Sequence, residues 1–162
     1  MPDPVNNKQA FRSALGKFPT GVTVITCKKN DGEMIGMTAS SFNSVSLDPP
    51  LVLWSVDKSA RSAQAFTDSD DFAVHVLADD QQEMSNLFAK QGADKFADVD
   101  VTECENGVPL LEDYCARFRC TMEHQYEGGD HVIIVGRVVD FECNDKRPLV
   151  FQGGRYGKVV SE

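Results

Sequence analysis

The stretch YCARFRCTMEHQYEGGDHVIIVGRVVDFEC, running from Tyr114 to Cys143, decides the fold class. Tyr114, Ala116, Phe118, Cys120, Met122, His124 and Tyr126 fall on one face. Arg117, Arg119, Thr121, Glu123 and Gln125 fall on the other, the period-two pattern of a half-buried strand. Gly128-Gly129-Asp130 then supplies turn residues, and HVIIVGRVVDFEC reads as a second long strand. Two long strands joined by a tight turn pair antiparallel.

Further strands lie on both sides of this hairpin. GVTVITCKK (Gly21–Lys29) is rich in β-branched residues, and Asp31-Gly32 is a hairpin turn before EMIGM (Glu33–Met37). Asp48-Pro49-Pro50 precedes LVLWSV (Leu51–Val56), apolar on both faces, and DFAVHVL (Asp71–Leu77) follows. LVFQ (Leu149–Gln152) is a last short strand ending at Gly153-Gly154. Phe11, Ala14, Leu15 and Phe18 repeat at helical spacing behind the caps Asn6 and Asn7, and SARSAQAF (Ser59–Phe66) reads as a second short helix. Asp80-Gln81-Gln82-Glu83 has the form of a capping box before Met84, Leu87 and Phe88. Gln91 to Pro109 is polar and turn-rich, a surface excursion. Strands and helices do not alternate, so an antiparallel barrel with helices on its outside fits better than a doubly wound sheet. Neither a GxGxxG nor a GxxxxGK[ST] motif is present.

At 162 residues, 41% hydrophobic and 25% charged, the chain reads as one domain over residues 1–162, with 1–8 a flexible N-terminal arm. A net charge of −9 argues against nucleic acid or an anionic membrane as partner. An acidic protein that binds an anionic nucleotide must gather its few cations locally. The five cysteines are scattered without a CxxC pair, which points away from a zinc or disulfide framework and toward a reducing, cytoplasmic setting. MPDPVNNKQAFRS carries no apolar h-region, and VIIV and LVLW are too short to span a bilayer.

Two segments carry the chemistry. Gly36 to Ser46, GMTASSFNSVS, places small and hydroxyl-bearing side chains directly after a strand, where they can approach a flat ring and offer donors. Donors that strengthen as negative charge develops would favour two-electron reduction of a flavin. By composition alone a Ser/Thr-rich edge strand or turn is the plainer reading of the segment. In Ser55 to Ser62, SVDKSARS, the cations Lys58 and Arg61, the hydroxyls of Ser59 and Ser62 and a helix start can together hold a phosphate. The alternative is a solvated helix cap. His75 and His124 read as core or interface side chains, and His131 stands at the mouth of the Gly128-Gly129-Asp130 turn, structural or ligand-facing. No Ser-His-Asp order with a nucleophile elbow and no paired carboxylates stand out, which suits hydride transfer between stacked rings and not hydrolysis.

FPTGVTVIT (Phe18–Thr26), GMTASSFNSVSLDPPLVLWSV (Gly36–Val56), NLFAKQGADKF (Asn86–Phe96), GDHVIIVGRV (Gly129–Val138) and PLVFQGGRY (Pro148–Tyr156) together resemble the flavin reductase-like family. Its members are FMN-binding split barrels, the short-chain reductase components of two-component flavin monooxygenases. The resemblance implies a mainly β, six-stranded antiparallel and Greek-key-like barrel with flanking helices, usually a homodimer. It implies FMN or FAD as cofactor, NADH or NADPH as co-substrate, and a flavin-dependent monooxygenase as partner. An electron-transferring FMN protein, flavoredoxin-like or ferric-reductase-like, is the alternative on the same fold. By the same resemblance Met37, Thr38, Ala39, Ser40 and Ser41 lie along the isoalloxazine. Ser55, Asp57, Lys58, Ser59, Arg61 and Ser62 take ribityl and phosphate, and Phe88, Ala89 and Lys90 approach the phosphate end. His131 is implied beside the nicotinamide as the catalytic residue, with Tyr156 in the same pocket.

Overall fold

The computed structural model describes residue 1, residues 3–92 and residues 94–162. The chain opens with α1 (Lys8–Leu15), β1 (Thr20–Gly21), β2 (Thr23–Lys28) and β3 (Met34–Ala39). Next come β4 (Asn43–Leu47), β5 (Pro50–Asp57), α2 (Ala63–Asp68), β6 (Asp71–Val76) and α3 (Gln82–Ala89). The remainder is β7 (Val101–Glu103), β8 (Pro109–Leu111), β9 (Ala116–Gly128), β10 (His131–Cys143), β11 (Leu149–Gln152) and β12 (Arg155–Lys158). The fold is mainly β, as expected, and every ladder between these strands is antiparallel. Among the described residues no helix is long and apolar enough to cross a membrane.

The main sheet has seven strands in the order β3-β2-β6-β9-β10-β5-β4. Its outermost strands, β3 and β4, are consecutive in the chain and joined only by Ser40, Ser41 and Phe42. That link reaches roughly 14 Å at full extension, against roughly 29 Å across the six inter-strand gaps of a flat sheet. The sheet therefore curls until its edges meet, with no ladder across the seam: a split barrel. Ser41 pins the seam, its Oγ accepting from the Ser55 N–H at 2.9 Å and donating to the Ser55 carbonyl at 3.3 Å.

Inside the curl, Ile25, Cys27, Val52, Trp54, Val56, Phe72, Val74, Cys120 and Ile134 form one core, closed by Phe66 of α2. Trp54 meets Phe66 edge-on with ring centres 4.9 Å apart. Burying such side chains contributes on the order of 2–3 kcal/mol each. Gly136 belongs to this packing, because a Cβ there would stand 2.4 Å from the Phe72 ring. The opposite face of β2 is buried too, Val24 packing with Leu77, Phe88, Leu111 and Leu149 under α3 and β11. Burial on both faces explains why β2 and β6 read as nearly unbroken apolar runs.

Several expectations are corrected. The six strands are seven, because the serine-rich stretch breaks at Ser40–Phe42 into β3 and β4. LVFQ forms β11 and ends at Gly153-Gly154 as expected, but it is not the last strand: with φ of 59° and 77° these glycines turn the chain back into β12, and β1 joins that hairpin. The excursion before Pro109 carries β7, paired with β8. The capping box ahead of α3 does not form. Gln81 holds the cap position, and its amide instead accepts from the Ala78 N–H at 2.8 Å and donates to the Asp113 carbonyl at 3.1 Å. The alternation in β9 changes phase, since His124 faces Val135 and Met122 faces Gly136, making Glu123 a bulge residue. Beyond the bulge both faces of the strand are open, and His124, Gln125, Tyr126 and Glu127 are all exposed.

Candidate functional site

A cleft of about 1010 Å³ lies along the free edge of β3, at the upper end of the range for small-molecule sites. Its walls are the β2–β3 hairpin, the turn from β5 through α2, and the last turn of α3 with the loop that follows. Met37, Thr38, Arg61, Ser62, Phe88, Ala89 and Lys90, all singled out in the sequence, line it together. The Thr38 hydroxyl donates to the Ser85 carbonyl at 2.6 Å, and the Ser62 hydroxyl donates to the Met37 sulfur at 3.7 Å. Phe88 is buried and forms the floor, packed edge-on against Phe96 at 5.1 Å. Gly36 allows this floor, since a Cβ on it would stand 2.6 Å from the Phe88 ring.

Arg61, Lys90 and Lys95 line the cleft together with Lys28 and Lys29 and with the carboxylates Asp31, Glu33, Asp68 and Asp94. No ion pair among the described residues engages Arg61, Lys90 or Lys95, although the chain carries a net charge of −9. The Arg61 guanidinium lies over Gly92, 2.9 Å from where a Cβ would stand, and Gly92 has φ of 73°. Both facts require glycine at that position. The β5–α2 turn and the loop after α3 thus face each other across the mouth of the cleft.

The remaining candidates divide between the core, the seam and the rim. Ala39 is buried in the barrel, Ser40 is exposed at the seam, and Ser41 and Ser55 are bonded to each other. Asp57, Lys58 and Ser59 form a turn of their own at the end of β5. The Asp57 carboxylate accepts from the Ser59 N–H at 2.8 Å and the Ser59 hydroxyl at 2.7 Å, which hold its pKa below the usual carboxylate value, with His131 adding to the effect. The Lys58 ammonium pairs with Glu127, and its backbone N–H donates to the Asp130 carbonyl at 2.9 Å. His131 stands opposite Asp57 in the β5–β10 register, its Nδ1 2.7 Å from the Asp130 carboxylate. The segment read as one ribityl and phosphate site therefore splits, Arg61 and Ser62 in the cleft and Asp57, Lys58 and Ser59 at the rim with His131.

Tyr156 was expected to share a pocket with His131, and the two have separate partners. The Tyr156 hydroxyl bonds Ser85 at 2.7 Å and Asn86 at 2.8 Å on α3, and its ring packs on Phe151. It connects to the cleft through Ser85, whose carbonyl holds Thr38. Lys95, Phe96 and Gly92 also line the cleft without having been singled out. The sequence offered only their place in the NLFAKQGADKF stretch, where a lysine in a polar tract looks like any solvated one.

Known proteins match this chain over most of its length. The flavin reductase like domain family matches residues 15–159. FMN reductase (NADH) SmoA of Agrobacterium fabrum is 47% identical over 152 residues, spanning 94% of this chain and 86% of that protein. The reductase component of the flavin-dependent trigonelline monooxygenase of Acinetobacter baylyi is 40% identical over 154 residues, and there the match covers 95% of this chain and 50% of the relative. Among solved structures, NADH:FAD oxidoreductase SgcE6 of Streptomyces globisporus, in complex with NAD and FAD fragments, superposes with a TM-score of 0.92 at 40% identity, covering 99% of this chain and 96% of that one.

Proposed function

The chain belongs to the flavin reductase-like family, and from that premise we propose that it is an NAD(P)H:flavin oxidoreductase. It reduces FMN or FAD with NADH or NADPH and supplies the reduced flavin to a partner flavin-dependent monooxygenase. The observation that carries this reading is the cleft beside β3, where an acidic protein gathers Arg61, Lys90 and Lys95 without carboxylate partners. Unpaired cations at one end and a wall of small and apolar groups along β3 fit a phosphorylated flavin. Flavin bound there would supply the two-electron acceptor that the protein's own side chains lack.

The protein's residues bind and orient. Arg61 and Lys90 take the phosphate, Met37 and Thr38 line the ring side, and Thr38 is held in place by the Ser85 carbonyl. Ala39, Ser40 and Ser41 fix the backbone course of the seam beside the ring, and Ser55 anchors it through Ser41. His131 serves the nicotinamide, its Nδ1 fixed by Asp130 so that Nε2 faces away from the carboxylate. Arg61 is exposed, and solvent-screened charges give modest affinity, which suits a flavin that must leave for a partner.

The protein acts in the cytoplasm, a placement supported by cysteines that are all unpaired. It works as a homodimer, supported by large apolar side chains left exposed on β4, β9 and β10. The test is oxidation of NADH and of NADPH by purified protein, with and without FMN. FMN-dependent turnover is the expected result and identifies the preferred nucleotide. Tight FMN binding with no turnover on either nucleotide would replace this reading with an electron-transfer flavoprotein.

A further inference from the structure

Cys115 and Cys143 meet at the open end of the β9–β10 hairpin, outside the cleft. Cys143 ends β10 and stands opposite Ala116, the first residue of β9, so Cys115 is its diagonal neighbour. The next residue, Asn144, donates its N–H to the Cys115 carbonyl at 2.9 Å. Strand spacing and rise then put the two Cα atoms roughly 6 Å from each other, inside the span of a disulfide. Cys115 also escapes the alternation that sends diagonal side chains to opposite faces. Its N–H donates to the Val76 carbonyl of β6 at 2.8 Å while its carbonyl serves Asn144, whereas a residue within a ladder turns both groups to one neighbour. Its thiol donates to the Lys146 carbonyl at 3.1 Å, on the segment that leaves β10 just beyond Cys143. Burial raises the Cys115 pKa and charge on Cys143 raises it further, so the two sulfurs lie within electrostatic reach of each other. Cys143 is exposed and Cys115 half-buried. Cys27 and Cys120 are buried, which pushes their thiols up to about 11 and about 12 and keeps them protonated. Cys104 sits between β7 and β8, where its thiol bonds the Asn106 side chain.

We propose that Cys115 and Cys143 are a peroxide-reactive thiol pair that closes reversibly to a disulfide. The Cys143 thiolate attacks one oxygen of hydrogen peroxide, the O–O bond breaks, and hydroxide leaves Cys143 as a sulfenic acid. That hydroxide takes up the proton Cys143 gave on ionising. The Cys115 sulfur then attacks the Cys143 sulfur, the S–S bond forms as the S–O bond breaks, and the departing hydroxide takes the Cys115 proton. Two thiols lose two electrons and one peroxide becomes two waters. The supply of peroxide rests on the flavin reading given above. Reduced flavin that meets dioxygen instead of the partner returns to oxidised flavin and yields hydrogen peroxide beside the protein. The disulfide then marks turnover that failed to reach the partner, and thiol reductants reset it.

The experiment treats reduced wild-type protein with a slight excess of hydrogen peroxide and maps its cysteines by mass spectrometry of non-reducing digests. The expected product is an intramolecular Cys115–Cys143 peptide, formed in most molecules and lost after dithiothreitol, with Cys27 and Cys120 left as thiols. In Cys115→Ser, Cys143 should instead accumulate as a sulfenic acid trapped by dimedone, and Cys143→Ser should form no link. Wild type in which Cys143 passes beyond sulfenic acid without a link, or in which the link joins two copies of the chain, overturns the pair. A second measurement follows NADH oxidation with FMN in air and no added peroxide. The same link should appear, and catalase should suppress it. A link formed by added peroxide but absent under turnover overturns the marking role. Protein that oxidises no nicotinamide nucleotide with FMN overturns the flavin reading itself, a failure distinct from the response of the thiols to added peroxide.

Discussion

His75 shows how a single side chain is fixed by its surroundings. It is fully buried, its Nδ1–H donates to the Val24 carbonyl at 3.0 Å, and its Nε2 accepts from the Leu111 N–H at 3.0 Å. Both ring nitrogens are used in the neutral form, as suits the core side chain that its place in FAVHVL suggests. Burial pushes its pKa down to about 4 from 6.5, with Arg117 adding to the shift and the Val24 bond opposing it. The unfolded chain therefore binds a proton that the folded one refuses between these values. The resulting stability is full above about pH 6.5 and falls as pH drops, by about 1.4 kcal/mol per unit. Denaturant melts across this window should show a shallower pH dependence for His75→Asn than for wild type. Parallel curves would mean that other groups govern the acid limb. His131 is the opposite case, since its position at the hairpin turn was legible while its pairing with Asp130 and register with Asp57 were not.

At the scale of elements, the junction of β3 with α3 positions the cleft. Gly36 lets the Phe88 ring lie against the strand, and Phe88 cannot move aside because it is buried and packed on Phe96. Gly36→Val is expected to destabilise the protein by roughly 1–3 kcal/mol through overpacking. It should also weaken FMN, because the carbonyls of Gly36 and Phe88 that hold Lys95 move apart. Thermal melts and flavin titration check both effects, and a variant as stable and as tight as wild type removes this junction from the account. Periodicity found these elements well where one local signal acted alone. The cap of α1 is such a case, the Asn7 side chain accepting from the Ala10 N–H at 3.0 Å. It misled where a tertiary partner competed, as with Gln81 drawn to Asp113 and with β9 shifted by the bulge at Glu123.

Across the whole molecule, the curled sheet hides one core and leaves another apolar surface uncovered. Leu47 is 96% exposed, Phe141 65% and Val139 56%, α1 exposes Phe11 and Leu15, and Phe18 is exposed just beyond it. So many large apolar side chains on one small protein mark a protein-protein surface, and a second copy is the occupant proposed above. Size-exclusion chromatography with light scattering is expected to give a dimer. The double variant Leu47→Lys with Phe141→Lys should shift it toward monomer and lower FMN-dependent turnover. A wild-type monomer at working concentration would place another partner on this surface.

The sequence by itself determined the antiparallel β class, most of the strands, the serine-rich edge and the cationic turn at Arg61. These rest on period-two alternation, turn residues and residue chemistry, all of which are local along the chain. The resemblance of five ordered stretches added the family and its cofactors. Only the tertiary structure decided which hydroxyls are spent on the protein, as Thr38 is on Ser85 and Ser41 on Ser55. It also drew Arg61 and Ser62 into the cleft while leaving Asp57, Lys58 and Ser59 at the rim, and it turned Lys95 from a surface charge into a held cation. The physical reason is that a hydrogen bond or a desolvated charge depends on which distant backbone arrives beside it. That arrival is fixed by the closure of the sheet and not by neighbours in sequence.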